Sequence, residues 1–402
     1  MKGFPAPSAS HATECKDLSV SYSVGLILAG DRSFILREGN WSYDVLLRTQ
    51  DAMKPQFDRY SRQILFAGIG EAGQARLLES SAVLIGCGAL GTAVANLLVR
   101  AGVGYLRIID RDFVEESNLQ RQTLFTESDA REALPKAVAA ERRLREINSE
   151  VRLEAVVADL GPRNAEELLG GFPLLLDGTD NFETRLLLND VAIRLGVAWI
   201  YAAAVASYGV TMTVYPGKTA CLACLLEAEY GSEPPHAALG AEETCDTAGV
   251  LAAAATAIAS LEAAEAIRLL SSESTTTNGA GGKLFSLDVW SGRSQTIRVA
   301  RRANCRACAR HQLVYLEGEA QPHVTMCGRD SVQIHERRRQ LNLDELGRTI
   351  SATASEVRQN SYLLRFRVPP YEVTVFADGR AIIKGTRDPS VARSLFARYI
   401  GS

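Results

Sequence analysis

Gly86-Cys87-Gly88-Ala89-Leu90-Gly91, an apolar helical pattern, Leu106-Arg107-Ile108-Ile109-Asp110 and then Ser117-Asn118-Leu119-Gln120-Arg121-Gln122 form the stretch that decides the fold. The apolar run Ser81-Ala82-Val83-Leu84-Ile85 ahead of it reads as a buried parallel strand. Gly86, Gly88 and Gly91 let the backbone turn tightly and approach phosphate oxygens. The helix that opens there aims free N–H groups at an anion. Asp110 closes the next apolar run about 20 residues on, where an acid can bind ribose hydroxyls. Taken alone, this signal fits NAD, FAD or ATP. The last six residues narrow the choice. Asn118, Arg121 and Gln122 follow a second acid, Asp112, and fixed cations and amides beside a phosphate suit chemistry on the phosphates themselves. The plain alternative, a polar surface loop, is weakened by the short, definite distance from a nucleotide loop.

Outward from this stretch, apolar strand runs at 82–86, 105–110, 151–157, 173–177, 198–203 and 209–215 alternate with helical patterns such as 89–101 and 135–148. That alternation predicts an α/β fold, a doubly wound, mostly parallel Rossmann-like sheet. From about Tyr208 the strands look antiparallel, which predicts an antiparallel extension. Residues 228–246, rich in Glu, Gly, Pro and Ala, read as a crossing loop, and 271–282 as a Ser/Thr/Gly linker. Residues 1–52 are an extension of unknown role with a weak hairpin pattern at 19–36. Residues 313–402 read as a small α+β domain. Its strand runs are 362–368, 371–376 and 381–384, with a turn at Asp378-Gly379 and a closing helix capped at Asp388-Pro389.

The chain has 402 residues, 47% hydrophobic and 23% charged, enough for two or three domains. A net charge of −3 with no basic stripe argues against a nucleic-acid surface. No uncharged apolar run is long enough to span a bilayer, and the N-terminus lacks a signal pattern, so a cytoplasmic protein with no membrane partner is expected. The eight cysteines then read as metal ligands or reactive thiols. Cys221-Leu222-Ala223-Cys224 and Cys305-Arg306-Ala307-Cys308 are two Cys-x-x-Cys pairs, and four thiolates make a closed, structural zinc site. A redox dithiol is the competing reading. Cys87 reads as core or loop filling, and Cys15 and Cys327 stay unassigned.

Together these residues resemble the ThiF/MoeB/HesA adenylyltransferases, bacterial relatives of ubiquitin-activating enzymes. The matching pieces are Arg59-Tyr60-Ser61-Arg62-Gln63, the glycine loop, Ala101-Gly102-Val103-Gly104, Asp110-Arg111-Asp112 and Ser117 to Gln122. Pro135-Lys136, Leu176 to Asn181, both cysteine pairs and Thr244-Cys245 complete the set. The resemblance covers roughly residues 53–312 and is strongest toward ThiF. It implies ATP and magnesium as cofactors and a ubiquitin-like sulfur carrier ending in Gly-Gly as partner. The implied reaction joins AMP to the carrier's C-terminal carboxylate and releases pyrophosphate.

By the same resemblance Arg121 and Lys136 contact phosphates, Asp180 holds magnesium, Asn181 lies against the adenylate and Asp110 binds the ribose. Gly86, Gly88, Ala89, Gly91, Asp112, Ser117, Asn118, Leu119, Gln120 and Gln122 line the nucleotide. Arg62 resembles an arginine that crosses a homodimer interface into the partner's site. Read from residues alone, Lys136 is a solvated cation at a helix start, Arg62 a surface charge and Asp180-Asn181 a helix cap. Cys245 stands at a helix start, where a thiolate is favoured. In the family this cysteine links covalently to the activated carrier or relays sulfur, with a cysteine desulfurase or another donor as a further partner; a buried structural thiol is the alternative. Ala89 departs from the family, which often has glycine there. The tail carries Cys327-Gly328-Arg329-Asp330, which is not a rhodanese pattern, and resembles the extra domain of longer ThiF-type proteins. A ThiS-like carrier of thiamine thiazole synthesis is therefore preferred. A MoaD-like carrier of molybdopterin synthesis, or a peptide- or tRNA-modifying acyl-adenylate enzyme, is the alternative.

Overall fold

Residues 55–230, 248–273, 281–318, 325–326, 331–334 and 340–401 are described by the computed structural model. The 19–36 pattern, Cys15, Cys245, Cys327 and most of the 228–246 and 271–282 segments lie outside the described residues.

Strand β1 (Ser81–Ile85) shows why the sheet is buried on both faces. Ala82 and Leu84 point into one apolar core, and Val83 and Ile85 into the other. It pairs in parallel with β2 (Tyr105–Asp110) and β4 (Leu174–Asp177). Strands β3 (Arg152–Val157) and β5 (Ala198–Val205) extend the parallel part on either side. Strands β6 (Tyr208–Val214), β7 (Lys283–Asp288) and β8 (Arg293–Arg298) then add in antiparallel order. The sheet runs β3-β2-β1-β4-β5-β6-β7-β8, the doubly wound arrangement with an antiparallel extension that the sequence implies.

Helices cover both faces. Helix Ala89–Ala101 ends where Gly102 takes the left-handed conformation at φ 84°. Its Val94, Ala95 and Leu98 share a core with Ala255, Ile258, Ala259 and Ala263 of helix Ala252–Ser271. Helix Phe182–Leu195 packs on the opposite face. The chain therefore changes side between β1 and β4, and the loops after these two strands open at the same crevice, where doubly wound sheets bind ligands.

A second, wholly antiparallel sheet follows. It comprises β9 (Thr325–Met326), β10 (Ser331–Ile334), β11 (Ser355–Gln359), β12 (Leu363–Val368), β13 (Tyr371–Phe376) and β14 (Ala381–Lys384). Its order is β11-β12-β13-β14-β10-β9. The expected three-strand meander β12-β13-β14 is its centre, with Gly379 at φ 86° in the turn. Three further strands flank it, and β10 inserts beside β14 from earlier in the chain. No helix among the described residues is long and apolar enough to cross a membrane.

Candidate active site

The glycine loop is shaped by close backbone packing. A Cβ at Gly91 would lie 2.0 Å from the Gly86 carbonyl oxygen, and one at Gly178 would lie 2.2 Å from the same atom. Gly86 itself has φ 87°, and a Cβ there would meet the Gly178 carbonyl oxygen at 2.5 Å. Three glycines thus lock the loop after β1 to the turn after β4 that carries Asp180. The Gly178 N–H donates to the Ile85 carbonyl at 2.7 Å and extends the sheet register into the turn. Helix Ala89–Ala101 starts at Gly88 with no side-chain cap on its first amides.

Asp110 braces the same loop. Its Oδ2 accepts from the Cys87 N–H at 2.6 Å and its Oδ1 from the Asp112 N–H at 2.7 Å. Burial raises the Asp110 carboxyl above its ordinary range, while the Lys136 ammonium works against that rise. Cys87 is fully buried, and burial first, then the Asp110 charge, pushes its thiol far up. It is a buried thiol packed in the core, one of the two places that the sequence reading allows.

Lys136 differs from the residue-level expectation of a solvated cation. It is only 4% exposed, and its Nζ lies 3.1 Å from Asp112 Oδ2. The strand-like contact Phe113–Pro135 and the Lys136 N–H bond to the Asp112 carbonyl, 2.8 Å, bring the two side chains together. Arg111 pairs with Asp159 at 2.9 Å and lies 3.9 Å from Asp112.

The polar segment is partly internal. Asn118 is fully buried; its Oδ1 accepts from the Glu115 N–H at 3.0 Å, and its Nδ2 has no partner. Gln122 is 3% exposed, its Oε1 also lacks a partner, and its Nε2 would stand 3.9 Å from a Cβ on Gly88. Gln122, with an orphaned amide oxygen and its Nε2 close to Gly88, offers polar atoms that a nucleotide could satisfy. Arg121 is half-buried and donates from Nη1 to the Ser117 carbonyl at 2.8 Å. Ser117 and Gln120 are exposed, and Leu119 and Ala89 are half-buried against the core.

Asp180 is exposed at the rim, within electrostatic reach of Arg111. Asn181 caps helix Phe182–Leu195, its Oδ1 accepting from the Thr184 N–H at 2.8 Å. Arg62 is exposed on the short helix Ser61–Ile64 and has no ion pair or hydrogen bond among the described residues. Within this chain, then, Lys136, Asp112, Asp110, Asn118 and Gln122 converge on the crevice, whereas Arg62 makes no contact with them. Cys245 lies outside the described residues.

A buried network that the motifs leave unassigned holds the Asp180 turn from behind. Asp177 Oδ1 accepts from the Thr179 N–H at 3.0 Å and the Thr179 hydroxyl at 2.7 Å. Arg185 approaches Asp177 Oδ2 at 3.4 Å and donates to the Thr179 carbonyl at 2.6 Å. Glu262, fully buried, accepts from the Asp177 N–H at 2.9 Å. Burial first, then the Asp177 charge, holds the Glu262 carboxyl well above the usual range, which favours its protonated form. The signal for Glu262 was a carboxylate placed on the apolar stripe Ala255, Ile258, Ala259, Ala263, Ala266 of its helix.

Cys221, Cys224, Cys305 and Cys308 converge, all buried, with their sulfur atoms within 4.8 Å of one another. Neighbouring Sγ atoms lie 3.9, 3.7 and 3.5 Å apart. A tetrahedron of thiolates around zinc has edges of about 3.8 Å, so the cluster fits that ion and could hold it. Helix Phe182–Leu195 ties both arms together: Asn189 Oδ1 accepts from the Leu222 N–H at 2.8 Å and Asp190 Oδ2 from the Tyr315 N–H at 3.0 Å.

Fold and crevice together define a doubly wound nucleotide-binding protein with a four-cysteine knuckle. Residues 60–307 match the ThiF family, and the chain belongs to that family. It is 43% identical over 347 residues to a Bacillus subtilis (strain 168) relative, the sulfur carrier protein ThiS adenylyltransferase, covering 85% of this chain and 99% of that one. The Escherichia coli (strain K12) relative of the same name is 36% identical over 253 residues, 63% of this chain and 95% of that one. Among solved structures, Escherichia coli MccB with MccA-N7isoASN shares the fold at TM-score 0.55 and 23% identity, over 64% of this chain and 76% of that one.

Proposed function

We propose that this chain transfers AMP from ATP to the C-terminal carboxylate of a ubiquitin-like sulfur carrier ending in Gly-Gly, a ThiS-like one. A carboxylate oxygen attacks the α-phosphorus, the bond to pyrophosphate breaks, and an acyl adenylate forms. The observation that carries this reading is the buried Lys136–Asp112 pair, beside Asp110 that braces the glycine loop, in a chain that aligns with 99% of a ThiS adenylyltransferase. Attack by one anion on another needs fixed positive charge and aligned partners. Lys136 and Arg121 offset phosphate charge, Asp110 meets the ribose, and Asn181 flanks the adenylate. Asp180, exposed at the rim, would hold magnesium, which would supply positive charge beside the phosphates.

The Cys221, Cys224, Cys305 and Cys308 site binds zinc and pins two remote segments. Cys245 attacks the acyl adenylate, forming a thioester with the carrier and releasing AMP, or takes part in sulfur relay. Arg62 completes the site of a partner copy in a homodimer. Its neighbours Leu65 and Phe66, 74% and 65% exposed, support an interface there.

Carrier-dependent ATP–pyrophosphate exchange tests the reading. Asp180→Ala is expected to lower the exchange rate by roughly 100-fold or more. Unchanged exchange in that variant, or full exchange without any Gly-Gly protein, would overturn it.

A further inference from the structure

The second sheet grips the segment that carries Lys136 and Asp112. Residues 112–114 and 134–136 form a short ribbon, closed by the Val114 N–H to the Leu134 carbonyl and the Lys136 N–H to the Asp112 carbonyl, both 2.8 Å. Phe113 and Ala133, 8% and 7% exposed, sit in a socket made by Leu363 and Phe376, with Ile382 packed beside them. Arg365 stacks over the Phe113 ring at 5.4 Å. Arg380, fully buried, donates to the Arg111 carbonyl at 3.4 Å while its Nε holds Asp378 at 2.9 Å. Lys384 reaches Glu115 at 3.7 Å, and Gln333 donates to Asp159, the partner of Arg111.

Asn360 makes the most telling contact. Its Nδ2 donates to the Glu132 carbonyl at 2.9 Å and the Ala133 carbonyl at 3.3 Å. Ala133 holds the left-handed φ of 49°, a conformation that costs a non-glycine residue energy and needs support from outside. Asn360 Oδ1 meanwhile accepts from the Tyr362 and Leu363 N–H groups at 2.9 Å, so the amide is locked by its own turn.

We propose that the C-terminal sheet is a positioning element of the active site, with Asn360 as its principal positioning residue. It fixes the 112–114/134–136 ribbon and so the placement of Lys136 against Asp112. The inference rests on the adenylylation reading above.

Asn360→Asp separates positioning from folding. The carboxylate keeps the acceptor for Tyr362 and Leu363 and loses the donor to residues 132 and 133. Two readouts are taken: the kcat and ATP KM of carrier-dependent pyrophosphate exchange, and amide hydrogen exchange at Val114 and Lys136 in the free chain. The expected result is a kcat about 10-fold lower with a smaller change in KM, and faster amide exchange at both positions. Phe396→Leu, in the core of the second sheet away from the ribbon, should lower the melting temperature without either effect. Unchanged amide exchange at 114 and 136 in folded Asn360→Asp overturns the proposal, as does an unchanged kcat. If the unaltered chain shows no carrier-dependent exchange, the adenylylation reading fails and the amide data alone decide the clamp. Leu363→Ala, which thins the socket, is read in the same way should Asn360→Asp not fold.

Discussion

Lys136 and Glu262 show how burial changes what a residue is. By its place at a helix start Lys136 would be a solvated cation; in the fold it is enclosed with Asp112 and acts as a fixed charge. Glu262 faces Asp177 and Arg185, and its raised carboxyl means that the folded chain holds a proton the unfolded chain releases. Stability from this group is therefore complete below the ordinary glutamate value. It declines as pH rises from there toward the folded value, by at most about 1.4 kcal/mol per pH unit. Glu262→Gln retains an acceptor for the Asp177 N–H and cannot titrate. Urea unfolding from about pH 5 to about pH 8 should show the variant gaining stability on the parent as pH rises. Identical pH slopes would show that the carboxyl does not hold the proton.

At the scale of elements, the loop after β1 depends on three glycines that share one point of contact. Gly91→Ala puts a methyl 2.0 Å from the Gly86 carbonyl oxygen, which is backbone and cannot swing away. Displacing that turn is expected to cost about 1–3 kcal/mol and to abolish detectable ATP binding in a calorimetric titration. Normal ATP affinity in a folded Gly91→Ala chain would contradict the packing argument. This loop, the parallel strands and the four cysteines were legible in the sequence because buried strands read as apolar runs and thiolate pairs have a fixed spacing. Strand β11 was not, since Ser355–Gln359 is almost wholly exposed and carries no alternation to read. The Asp177–Arg185–Glu262 network escaped as well: Glu262 lies 85 positions from Asp177 and meets it only when β4 packs against its helix. Nor could the sequence place Asn360 beside Ala133, a contact across 227 positions.

At the scale of the whole molecule, the site is proposed to be complete only in a pair of chains, with Arg62 given by one copy and Asp180 by the other. Arg62→Ala and Asp180→Ala homodimers should each be inactive in pyrophosphate exchange. Mixed after reversible dissociation, they should recover about a quarter of the parent activity, because half of random pairs carry one intact site. No recovery from a mixture shown to exchange subunits would place Arg62 in its own chain's site or outside any site. The chemistry itself is tested most directly by the intact mass of a Gly-Gly-ended, ThiS-like carrier after incubation with this chain, ATP and magnesium. The expected result is one added adenylyl group, absent when the terminal Gly-Gly is deleted. An unmodified carrier, or equal labelling of the truncated one, would contradict adenylylation of the C-terminal carboxylate.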